Sequence, residues 1–100
     1  MPKAPDATEV RIDNETSESC TIIDVFADDR QGLLHVITNA MFQLGLSIHA
    51  ARISTRLDQV ADVFYVTDPS GRKVRDHAQL EGVRTGIEQA IERFLEVKAA

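Results

Sequence analysis

The chain lacks tryptophan altogether and has five aromatic residues, three prolines and one cysteine in 100 positions. So few large rings leave the core to Val, Ile, Leu and Ala, which suits a thin sheet covered by helices. The lone thiol, Cys20, excludes an intrachain disulfide and cannot by itself assemble a structural zinc site, so the chain reads as cytoplasmic. No apolar run approaches the roughly 20 residues that cross a bilayer. Met1-Pro2-Lys3-Ala4-Pro5 also lacks the apolar stretch of a signal peptide, so no membrane partner is expected. Clustered basic residues are missing too. The net charge is −5, and Gly71-Arg72-Lys73-Val74-Arg75 reads as a short solvated turn. Phosphate affinity needs a basic stripe, so nucleic acid is excluded as a partner.

What is present is enough for one core and one domain, with 43% hydrophobic residues. Residues 1–7 are expected to be a disordered tail and residues 8–98 the folded domain. Residues 9–13 alternate polar with β-branched side chains, the period of a half-buried strand. A polar turn over 14–19 leads into a second strand over 20–27. Leu33, Leu34, Val36, Ile37, Ala40, Met41 and Leu44 form the stripe of an amphipathic helix that Gly45 closes. Residues 48–55 and 60–67 then read as an antiparallel hairpin turning at 56–59. Asp76 is the N-cap of a second helix, with Gln79 in the reciprocal position and Leu80, Val83, Ile87, Ile91 and Phe94 on its buried face. Gly82, Gly86 and Ala90 line one flank of that helix, either as tolerated surface positions or as a close approach between subunits.

The order of elements predicts an α+β, ferredoxin-like two-layer sandwich with a four-stranded antiparallel sheet and two helices on one face. A ferredoxin-like unit ends in a strand that lies beside its first, whereas this chain ends in helix. The N-terminal strand around Val10 and Ile12 is therefore expected to replace the usual C-terminal strand. Both strong strands are apolar on both faces: Ile23 and Val25 oppose Ile22 and Phe26, and Val63 and Tyr65 oppose Phe64 and Val66. Helices cover one face only, so the second is expected to meet a partner subunit or a sister domain.

No catalytic constellation stands out. There is no Gly-x-Ser-x-Gly elbow, and His35, His49 and His77 do not match a helical two-histidine metal motif. No metal or cofactor is expected. Cys20 reads as a small buried thiol. Asp28 and Asp29 point in different directions at a strand end, and Asp29 is expected to cap the first helix. The same segment suits a ligand. Amides and the dipole at a helix N-terminus hold a carboxylate, Asp29 meets an ammonium, and Gly32 lets the backbone approach closely.

Asp29-Arg30-Gln31-Gly32-Leu33-Leu34, the run from Leu44 to Thr55, and Asp62-Val63-Phe64-Tyr65-Val66-Thr67-Asp68 look like the ACT domain family. In detail they resemble the C-terminal ACT domain of bacterial P-II protein uridylyltransferase/uridylyl-removing enzymes. The resemblance implies a regulatory domain that senses an amino acid, glutamine for that subfamily, in the cleft between paired ACT domains. Pairing would run through a sheet face or edge, with a second copy or a sister ACT domain. By position, Asp29, Arg30, Gln31, Gly32 and Leu33 match the ligand loop, and His49 and Ala50 complete the cleft. Gln31 stands where the family usually has proline, which removes the preset loop geometry. Two other readings compete. One is an ACT-like interaction module without a ligand. The other is a small independent enzyme, which the fold by itself does not support.

Overall fold

A computed structural model describes residues 8–99, with side chains as far as Glu96. The expected tail of residues 1–7 lies outside the described residues. The elements are β1 (Glu9–Asp13), β2 (Thr21–Asp28), α1 (Leu33–Gln43), β3 (Ser47–Arg52), β4 (Thr55–Arg56), β5 (Gln59–Thr67) and α2 (His77–Ala99). The sheet runs β1-β2-β5-β3, and the two-residue β4 adds to the β5 side. Every pairing is antiparallel. The architecture is the expected ferredoxin-like α+β fold, with β1 as the edge strand beside β2, where such a fold usually places its last strand. Val10 opposite Val25 and Ile12 opposite Ile23 set that register.

Alternation in the strands decides which residues meet the helices. Ile23, Val25 and Ala27 of β2 and Val60, Phe64 and Val66 of β5 join one core cluster with Leu33, Ile37 and Met41 of α1 and Val83, Ile87 and Ile91 of α2. Ile23, Ile37, Phe64, Ile87 and Ile91 are fully buried, and each contributes roughly 1.5–3 kcal/mol by leaving water. Asp76 caps α2 through the Gln79 N–H at 2.9 Å. Gly45, at φ 81, ends α1 while the Leu46 N–H donates to the Met41 carbonyl.

A buried hydroxyl ties together the segments at one end of the sheet. Thr21, 1% exposed, donates to Asn14 Oδ1 at 2.6 Å and accepts from the Val74 N–H at 3.0 Å. Asn14 Nδ2 in turn donates to the Val74 carbonyl at 2.7 Å, and Lys73 Nζ to the Asn14 carbonyl at 2.8 Å. The β1–β2 turn is thereby stitched to the segment that leads into α2.

Several expectations are refined. Residues 48–55 form two strands rather than one, because Ser54 turns its N–H to Asp62 Oδ1 at 3.0 Å and its carbonyl to the Ala61 N–H at 2.8 Å. The turn narrows to Leu57 and Asp58, with Leu57 at φ 55. Leu34 of the α1 stripe faces solvent at 44% exposure. Cys20 is half-buried, not part of the core. Gly86 is explained inside the chain, since a Cβ there would stand 3.2 Å from the Leu44 side chain, whereas a Cβ at Gly82 would meet nothing within 4 Å. The second sheet face is mixed, not a continuous apolar surface. Half-buried Asp24 lies between Arg11 and Val63 in the strand register, and the Arg11 guanidinium stands 5.4 Å from the Phe26 ring centre.

Candidate functional site

The β2–α1 loop follows from where β2 stops. Asp28, its last residue, pairs with Gln59, the first of β5, so the loop and the β4–β5 tip share one end of the sheet. The Asp29 N–H donates to the Asp58 carbonyl at 2.7 Å, which docks the loop onto the tip. Asp29 does not cap α1. The N-cap is Gly32 in the left-handed region at φ 91, and no side chain bonds there. A residue with a Cβ is strained at that φ, so glycine is required by the backbone itself. Its neighbour is Phe94, whose ring lies 3.5 Å from where a Cβ would stand.

With no side-chain cap, the Leu34 and His35 amides at the start of α1 keep their hydrogen-bonding capacity toward the exterior, whereas the Leu33 N–H reaches the Arg30 carbonyl at 3.0 Å and the Val36 N–H the Gly32 carbonyl at 3.1 Å. Asp29, Arg30, Gln31 and Gly32 are exposed. Leu33 is 2% exposed and belongs to the core, so it offers the site backbone only.

A cavity of about 560 Å³ opens beside the loop, lined by Asp28, Asp29 and Arg30 on one side and Arg56, Leu57, Asp58 and Gln59 on the other. The four tip residues read in sequence only as a polar turn. Their role at this end of the molecule could have been found from the strand order, since a β2 antiparallel to β5 must end where β5 begins.

His49 and Ala50 are not gathered here. Both are exposed on β3, opposite the far end of β5 near Tyr65 and Val66. Six residues of β5 separate that end from Gln59, about 20 Å along the strand. His49 is the extra residue of a bulge between Ile48 and Ala50. Its Nε2 lies 2.7 Å from Thr67 Oγ1. Because that hydroxyl donates to the Asp68 carbonyl at 3.0 Å, it accepts from His49, which places the ring proton on Nε2.

Asp62 also escaped the sequence reading. It is 2% exposed on the helix-facing side of β5, and burial pushes its carboxyl above the ordinary range despite the Ser54 N–H. Among the described residues no three His, Cys, Asp or Glu side chains converge as metal ligands. No helix among them is long and apolar enough to cross a membrane.

This fold, with an uncapped helix end and a charged cavity at one end of the sheet, is a small α+β domain of the ferredoxin-like type. The chain belongs to the ACT domain family: the model described as the ACR family N-terminal ACT domain matches residues 16–94. That match begins after β1, so the strand that fills the sheet edge lies outside it. Relatives carry the name bifunctional uridylyltransferase/uridylyl-removing enzyme. The one from Rhodospirillum rubrum is 38% identical over 82 residues, 82% of this chain and 9% of the relative. The Azospirillum brasilense protein is 39% identical over 98 residues, 89% of this chain and 10% of its own length. That of Gluconobacter oxydans is 43% identical over 75 residues, 75% and 8% respectively. The chain thus spans about a tenth of the length of these relatives. No solved structure matches it.

Proposed function

We propose that the chain is an amino-acid-sensing regulatory domain, with glutamine as effector, that controls a uridylyltransferase-type enzyme of nitrogen signalling. The observation that carries this reading is the uncapped amide end of α1 beside a cavity lined by charges of both signs. Amides and the helix dipole stabilise a carboxylate there, and Asp29 supplies the counter-charge for an ammonium. The relatives are roughly ten times longer and are named for transferase and removal activities. That supports a chain which carries sensing and leaves the chemistry to other domains.

Pairing with a second copy or a sister ACT domain belongs to the same reading. β3 is exposed along its whole length. In that reading β3 is the edge that meets the partner, and His49 and Ala50, at the middle of the strand, stand beside their own counterparts in an antiparallel pair. A ligand that binds the paired domains more tightly than the separate ones favours the paired arrangement.

A thermal-shift titration with glutamine and a panel of other amino acids, alongside molar mass by light scattering, tests the reading. A rise specific to glutamine that grows as RT ln(1 + [L]/Kd) is expected. A paired chain that no amino acid stabilises would instead be an interaction module without a ligand.

A further inference from the structure

Of the seven residues lining the cavity, four belong to the β4–β5 tip rather than to the loop or to β3. The tip is held firmly. Thr55 pairs with Val60 and Arg56 with Gln59, and the Asp29 amide grips the Asp58 carbonyl. Leu57 sits between them at φ 55 and 98% exposed, an unfavourable backbone for a side chain that gains nothing from burial. That turn brings Arg56 and Asp58 to the same cavity.

The cavity's charges are of both signs, and among the described residues no ion pair joins Arg30 or Arg56 to Asp29 or Asp58. A simple anion would face the carboxylates and a simple cation the guanidiniums. A zwitterion answers both.

We infer that the β4–β5 tip is a second wall of the ligand site within one chain: Arg56 adds to the donors on the carboxylate of an α-amino acid, Asp58 joins Asp29 at its ammonium, and Leu57 covers the aliphatic stem. This rests on the amino-acid-sensing reading above and adds to it residues outside the β2–α1 loop.

Calorimetric titration of the whole chain, unaltered and as Arg56→Gln and Asp58→Asn, separates the two claims. Both residues are exposed, so each variant is expected to fold. Arg56→Gln should weaken glutamine binding by about tenfold, as the loss of one charge-assisted hydrogen bond does, and weaken glutaminamide, which has no carboxylate, much less. Asp58→Asn should do the same to glutamine while sparing N-acetylglutamine, which has no ammonium. Unchanged glutamine affinity in both variants overturns the inference and leaves amino-acid sensing standing. Failure of the unaltered chain to bind glutamine or any other amino acid overturns both.

Discussion

At one edge of the sheet β1 lies against α2, and the Val10 N–H donates to Glu88 Oε2 at 3.3 Å while Arg84 holds the other oxygen at 3.1 Å. At the opposite edge all six residues of β3 are exposed. The exposed large hydrophobics follow the same division. Ile48 and Ile53 lie in or just after β3, Leu57 at the hairpin tip, and Leu34 and Phe42 on α1, the helix that contacts β3, whereas β1 and α2 contribute none among the described residues. An open strand edge with apolar neighbours is a template for another strand, and soluble proteins cover or charge such edges unless they use them. Covering one edge and leaving the other bare limits strand addition to a single side, which suits a closed pair rather than an open array.

The contrast can be broken most severely on the covered side. Thr21→Val leaves the buried Val74 N–H without its acceptor and should cost about 1–3 kcal/mol. A lower urea midpoint is expected, with amide exchange quickening in β1 while the already exposed β3 changes little. On the bare side, Ile48→Lys with Ile53→Lys should leave the fold intact and weaken self-association by about tenfold, or ~1.4 kcal/mol. Light scattering would then report a mass moving toward one copy; a mass unchanged from a paired wild type would show that association uses another surface.

Glu88→Ala is a milder test of the covered edge, expected to cost about 0.5–1.5 kcal/mol. It should speed exchange at the Val10 amide, with Glu88→Gln restoring the acceptor and the protection.

Acid gives the smallest and most discriminating effect, because the two sides respond in opposite directions. Asp62, whose carboxylate holds the break between β3 and β4, has a folded pKa raised above 3.8 by burial. The fold therefore binds that proton more tightly than the unfolded chain, and the contribution to stability falls as pH rises from 3.8 through the folded value. Asp13, at the end of β1, has a folded pKa lowered by its bonds to Thr16 and Glu15. Its contribution is present above the unfolded value and is lost as pH falls through the folded one. Asp62→Asn should therefore raise stability near neutrality and remove the first dependence. Urea midpoints measured from acid to neutral pH check this, and a variant less stable at neutrality would mean that the Ser54 bond outweighs the burial.

Much of the fold was legible because periodicity reports which face is covered. Val83, Ile87 and Ile91 advance by four along one face of α2, and all three are buried. Ile23, Val25 and Phe64 take the helix-facing side, which strands apolar on both faces did not reveal in sequence. The site was less legible. Of the loop from Asp29 to Gly32, Asp29 and Arg30 line the cavity and Gln31 and Gly32 do not, while Asp29 does not cap α1 and Leu33 belongs to the core. The helix starts later than a capping Asp29 requires, because Gly32 takes the N-cap position in the left-handed region that glycine adopts freely. Arg56 and Asp58 looked like ordinary turn residues because their significance depends on which strand end they stand beside.

By itself, the sequence determined the element types, the buried faces of the helices, the permuted first strand and the family, since all of these follow from side-chain periodicity, turn chemistry and local motifs. Only the tertiary structure decided that β1 is covered while β3 is bare, that Asp62 is buried, and that His49 stands about 20 Å along the sheet from the loop. Those depend on long-range register and on how α2 crosses the sheet. Both are set by the global fit of the core, where residues distant in sequence compete for the same volume.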